Sequence, residues 1–224
     1  LKNVCVEWLD GLRLVGKEHL IRAIFLVFGI AMVGEGLVEV VIVAFVKQVL
    51  HGNASMLGWL MMAQAVGGIL GSLLLGRANK AVGLARLMPL CALVFGLIIL
   101  VMVNIPILLL VLPLITLAGA AVIGFFVNLL TLLQGSVVDA YRGRIFGTFN
   151  TMQAVTMLVG MVLASSLGDH FGPVIMLDID AGFNILAGIL TLLLIRNVSM
   201  PAPSEGKAAI QEPIIEVDQG LSNV

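Results

Sequence analysis

Between residues 21 and 196 long apolar runs alternate with short polar breaks. Crossing a bilayer takes about 20 mostly apolar residues, and the pattern predicts six such spans. They run from Ile21 to Val46, Met56 to Leu75, Leu87 to Val103, Ile107 to near Leu133, Ile145 to Leu167, and Val174 to Ile195. The breaks are His51-Gly52-Asn53, Arg77 to Arg86, Asn104-Ile105-Pro106, Asp139 to Arg144, and Gly168 to Pro173. Asp178 and Asp180 interrupt the start of the sixth span, which sets its membrane portion nearer Ala181.

The flanks read differently. In residues 1–20, Val4, Trp8, Leu12 and Val15 recur at helical spacing with Glu7, Asp10, Arg13 and Lys17 between them. Such a segment lies on a membrane interface as an amphipathic helix; a soluble helix from a preceding domain is the alternative. Residues 197–224 carry Pro201, Pro203, Pro213, Gly206, Gly220 and scattered acids, too little apolar surface to build a core, and read as a disordered tail. The first residue is Leu1, and charged residues interrupt the first twenty, so no signal peptide is read there. The chain is expected to be a piece of a longer protein.

Composition places most of the chain in lipid. The chain is 60% hydrophobic and 11% charged, against roughly 45–50% and 25% in soluble domains. A net charge of −1 with no dense basic cluster argues against nucleic acid as a partner. Cys5 and Cys91 are far apart, and no metal site or cofactor is implied. Orientation follows from the bases. Lys2, Arg13, Lys17 and Arg22 precede span one. Arg77, Lys80 and Arg86 follow span two, Arg142 and Arg144 follow span four, and Arg196 and Lys207 follow span six. Lys47 alone falls on the other side. The positive-inside rule puts both ends in the cytoplasm, which requires an even number of spans.

The candidate chemistry lies inside the spans. Glu35 and Glu39 interrupt an apolar helix four residues apart, on one face. Counted from Arg22, Glu35 lies roughly 20 Å deep. An acid in mid-span costs about 2.5–3.5 kcal/mol on insertion scales, so it faces a cavity or a partner. A pair there could take up and release a proton, as proton-coupled transport requires. The structural alternative is an acid held protonated or hydrogen-bonded to a neighbouring helix.

Span two carries Gln64, while the series Asn128, Thr131 and Gln134 and the series Asn150, Gln153 and Thr156 recur at three-residue steps and form polar stripes. These suit a water-filled path or interhelical hydrogen bonds. Span three carries no strongly polar side chain and reads as a helix facing lipid. Gly67, Gly68, Gly71 and Gly76, then Gly119, Ala120 and Gly124, then Gly160, Ala164 and Gly168 let helices approach closely. His19, His51 and His170 sit at span edges without clustering, and no enzyme motif occurs.

The turn Val138-Asp139-Ala140-Tyr141-Arg142-Gly143-Arg144-Ile145-Phe146-Gly147 resembles that between helices ten and eleven of major facilitator superfamily transporters, especially the drug and siderophore exporters. Gly34-Glu35-Gly36 with Phe45 to Leu50 is similar to helix seven of that branch. Gly67-Gly68-Ile69-Leu70-Gly71 followed by Gly76 is similar to helix eight. The resemblance implies an all-α membrane protein forming helices seven to twelve of a twelve-helix fold. It further implies an N-terminal six-helix half as partner and a small-molecule cavity lined by helices seven, eight, ten and eleven. The turn at Asp139, Arg142, Gly143 and Arg144 would gate the cytoplasmic side. One departure is Lys80, which stands between Gly76 and Gly83 where that family often has an acid.

The expected function is therefore alternating-access export of small amphipathic compounds from the plasma membrane, coupled to protons. Glu35, Glu39, Gln64, Asn128, Thr131, Asn150 and Gln153 would form the coupling and substrate site. With acids as its only charges, such a cavity favours apolar or cationic cargo over anions. The alternatives are a transporter-like scaffold or sensor and an inactive truncated fragment.

Overall fold

The computed structural model describes residues 19–137 and 142–195. The amphipathic segment before His19, Asp139 and the C-terminal tail lie outside the described residues. Within them the chain is helical. Helix α1 spans His19–Gln48, α2 Ala54–Val82, α3 Leu84–Asn104, α4 Leu108–Ser136 and α5 Arg142–Ile195. All five are long and apolar enough to cross a membrane. Where the predicted pattern has six spans, the structure has five continuous helical runs, because the last two merge in α5.

The breaks are tighter than the polarity pattern predicts. The break at Arg77 to Arg86 shrinks to Gly83, whose N–H donates to the Asn79 carbonyl. The break at Gly168 to Pro173 shrinks to a kink. Gly172, at φ 77° and ψ 168°, is the one residue in α5 with non-helical dihedrals. A helix continues up to it, and Pro173, which has no N–H to give, starts the next stretch.

The packing shows what the kink does. Gly36 of α1 meets Gly160 and Met157 of α5, while Gly34, two residues away, meets Asp180 and Asn184. In an unbroken helix residues 160 and 180 would lie about 30 Å apart. Both touch the same short piece of α1, so the chain turns back on itself at Gly172. Residues 142–171 form the first limb of α5 and 173–195 the second. Such φ, ψ values are open to glycine and cost other residues of order 1–3 kcal/mol. Gly172→Val is expected to lower the melting temperature of the detergent-solubilised protein by an amount in keeping with that cost, whereas Gly168→Val, at a site with open space around it, leaves it near the wild-type value.

Lipid tails are as apolar as leucine, so burial does not drive these helices together; close packing does. Two seams show it. A Cβ on Gly67 would overlap the Thr116 carbonyl, and one on Gly119 the Gln64 carbonyl, which brings α2 and α4 backbone to backbone. Gly36 and Gly160 do the same for α1 and the first limb of α5. Around these seams sit two buried clusters. One, towards the start of α1, gathers Phe25, Phe28, Met88, Phe125, Leu129 and Phe149. Phe28 stacks on Phe149 at 4.2 Å and Phe25 meets the same ring edge-on at 5.6 Å, both favourable aromatic geometries. The other, towards the end of α1, gathers Phe45, Leu60, Phe95, Ile99, Met102, Ile115 and Leu177.

Helix α3 corrects an expectation. It reads from sequence as lipid-facing, yet it is the most buried of the described spans. It packs between α4 and the second limb of α5, with Met88, Ala92, Phe95, Ile99 and Met102 inside and Leu90, Leu97 and Leu100 outside. An apolar side chain suits both lipid and a protein interior, so the absence of polar residues does not distinguish the two. Conversely, α2 and the first limb of α5 expose rows of large apolar residues, among them Trp59, Ile69, Leu73, Val155, Leu158 and Val162.

Candidate functional site

Helix α1 is continuous through Gly34-Glu35-Gly36, so Glu35 and Glu39 stay one turn apart on one face. That face turns towards α2. Glu35 is partly buried and Glu39 exposed. With Gln64 of α2 they line a pocket of about 110 Å³. Its other walls are Phe45 of α1, Leu57, Leu60 and Met61 of α2, Phe95, Ile99 and Met102 of α3, Val111 and Ile115 of α4, and Leu177 of α5. Three polar side chains thus converge in an apolar enclosure drawn from all five helices, with room for a few waters. A wider groove of about 470 Å³ runs between α2 and α4 along Gly68, Ile69, Ser72, Gly119 and Ile123. Met61 and Gln64 line both spaces, which makes them neighbours. The groove alone falls within the roughly 300–1,000 Å³ usual for small-molecule sites.

The other predicted site residues lie outside the lining of this pocket. Asn128 is buried and accepts a hydrogen bond from Asn79 Nδ2 at 2.8 Å, linking α4 to α2. Thr131 is exposed and donates to the Val127 carbonyl of its own helix. Asn150 is exposed and Gln153 partly buried on the first limb of α5. Thr156 donates within its own helix. Gln134 is exposed, and its backbone carbonyl accepts from Arg142 Nη2 at 3.3 Å. Gly143 and Arg144 are exposed at the start of α5. Within the two stripes, Thr131 and Thr156 are thus bonded within their own helices and Asn128 bridges α4 to α2.

The Asn79–Asn128 bond leaves Asn79 Oδ1 and Asn128 Nδ2 buried without partners. Removing one amide strands the other, whereas removing both removes the demand. Asn79→Leu is expected to cost about 1 kcal/mol, within the range for interhelical bonds in membranes. Asn79→Leu with Asn128→Leu recovers most of that loss in thermal unfolding.

One polar group escaped the sequence reading. Asp180, read as an interruption at the start of span six, is fully buried, with Asn184 beside it on the next turn. Asp178 points elsewhere and accepts from Asn104 Nδ2 of α3 at 2.8 Å. The available signal was the spacing: Asp180 and Asn184 are four apart and share a helix face.

The family model that matches this chain is described as the Major Facilitator Superfamily, and the match covers residues 24–222. No curated protein and no solved structure matched.

Proposed function

This chain belongs to the Major Facilitator Superfamily, a family of membrane transporters, and from that membership we propose that it exports small cationic or apolar amphipathic compounds in exchange for protons. The observation that carries the reading is the convergence of Glu35, Glu39 and Gln64 on one apolar pocket inside a membrane bundle. Acids are tolerated there only where they serve an ion or substrate path or meet a partner. Glu35 is the coupling acid. Glu39, nearer the end of α1, passes protons between Glu35 and the adjoining water. Cargo lies along Gln64 and the wider groove.

In this reading α5 crosses the membrane twice, once with each limb, which makes six crossings. The excess of Lys and Arg at one set of ends then puts both termini in the cytoplasm of a plasma-membrane protein. The six crossings form the second of two six-helix units, as the resemblance of the Asp139 to Arg144 turn and of the Gly34-Glu35-Gly36 helix implies. The exposed apolar rows on α2 and the first limb of α5 then meet the first unit or lipid. A non-transporting scaffold accounts less well for Glu35, because an acid in mid-span costs insertion energy that a purely structural role does not recover.

The test is dye retention. Cells producing the full-length protein are expected to hold less of a fluorescent cationic dye than control cells, and an ionophore that collapses the proton gradient removes the difference. Equal retention in both, with the protein present in the membrane, contradicts export.

A further inference from the structure

Asp180 sits on the second limb of α5, facing Gly34 and beside the seam where the first limb crosses Gly36. It is 0% exposed and Asn184 is 7% exposed. Asn184 Nδ2 donates to Asp180 Oδ1 at 2.8 Å and to the Asp180 carbonyl at 3.1 Å. Asp180 Oδ2 is buried with no hydrogen-bond partner. On the α1 side Gly34 faces Oδ1, in space that any Cβ would take. The next residue, Glu35, lies within electrostatic range of Asp180. Glu35 lines the pocket and Asp180 does not. Two acids from different helices therefore share one layer, one open to the pocket and the other sealed behind it.

Among the described residues Asp180 has no cationic partner. On α1, Glu35 adjoins Gly34, the residue that Asp180 faces, and Arg22 and Lys47 lie about 20 Å away along that helix. Helix α3 has no charged side chain between Leu87 and Val103, and its Cys91 lies against Gly124 of α4. The first limb of α5 brings Met157 and Gly160 to this layer, and its Asp169 and His170 stand near the kink. Among the described residues, the side chain hydrogen-bonded to Asp180 is the neutral amide of Asn184. An ionised carboxylate buried without a cation is so unfavourable that such a group takes up a proton instead. The hydrogen bonding fits that state: Oδ1 accepts like a carbonyl, and Oδ2 is free to carry the hydrogen.

We propose that Asp180 and Glu35 form a two-acid proton-binding site across the contact between α1 and the second limb of α5, with Asp180 storing a proton on Oδ2 and Glu35 exchanging it with the pocket. The site rests on the proton-coupled reading for its use in transport, but it makes a prediction about the resting protein. Because the stored proton leaves by way of Glu35, motion of α1 against the second limb would connect or isolate it.

Infrared spectroscopy of the purified full-length protein reads this directly. At neutral pH the wild type is expected to show a protonated-carboxyl band that Asp180→Asn removes. Asn184→Leu shifts the frequency of the same band, because the bond to Oδ1 is lost; this second variant serves if Asp180→Asn does not fold. In deuterated buffer Glu35→Gln slows exchange of the band at least tenfold. Identical protonated-carboxyl regions in wild type and Asp180→Asn, or an unchanged band in Asn184→Leu, overturn the stored proton. Unchanged exchange in Glu35→Gln overturns the route through Glu35. If the band behaves as expected but dye efflux ignores the proton gradient, the site stands and the transport reading fails. If efflux is proton-driven and Asp180→Asn removes no band, the site fails alone.

Discussion

Gly160→Leu is expected to prevent the bundle from assembling. A side chain at Gly160 meets the Val33 carbonyl and the Gly36 Cα of α1. Both are backbone atoms, which cannot rotate out of the way. Overpacking that neighbouring side chains absorb costs about 1–3 kcal/mol. Here α1 and the first limb of α5 must separate, and the contacts of Phe25 and Phe28 with Phe149 open with them. The total therefore exceeds that range, against a stability of roughly 5–15 kcal/mol for an ordinary protein. A fluorescent fusion of Gly160→Leu in mild detergent should elute as aggregate on size exclusion. Gly168→Leu, on the same limb with nothing within 4 Å, should elute like the wild type. A wild-type profile and melting temperature for Gly160→Leu would mean that the two helices do not cross at this point.

The second large effect is functional. Glu35→Gln is expected to lower gradient-driven efflux at least tenfold, which is about 1.4 kcal/mol of driving interaction at 25 °C, while leaving the fold intact. Glutamine keeps the size of the side chain and its hydrogen-bonding capacity, but it carries no exchangeable acid proton. Glu39→Gln should cost less, because Glu39 is exposed and water can replace it as a proton carrier. Initial efflux rates at several imposed pH differences separate the two. The wild-type rate should follow the gradient, the Glu39→Gln rate should follow it less steeply, and the Glu35→Gln rate should be flat.

Hydropathy alone located the helices well, since each of the first four helices covers one of the apolar runs up to near Leu133, to within a residue at Ile107. It misread the join at Gly172. A polar stretch such as Gly168-Asp169-His170 looks like a loop, but helix continues through it when it lies at a membrane edge, where water satisfies the charges. The reversal then depends on one glycine dihedral, which no polarity average detects. Asp180 was misjudged for a related reason. A single buried acid lowers local hydropathy just as a loop acid does, and only the partner on the next turn, Asn184, separates the two cases. The face shared by Glu35 and Glu39 was legible because it depends on spacing within one helix. Their meeting with Gln64 depends on how α1 and α2 pack, which spacing within one helix does not give. Which helices touch depends on the glycine seams, and these drew α2 onto α4 and left Asn150 outside the lining of the pocket. Helix α3 shows the converse limit, since a wholly apolar surface is silent about whether lipid or protein covers it.

Proton exchange against solute is read most directly in sealed liposomes containing the full-length protein, a trapped pH indicator and a lipophilic cation such as tetraphenylphosphonium on the inside. On dilution into cation-free buffer, exit of the cation should acidify the lumen faster than in protein-free liposomes, and Glu35→Gln should abolish that excess. Cation exit that the wild-type protein accelerates with no accompanying change in luminal pH would contradict coupling at Glu35.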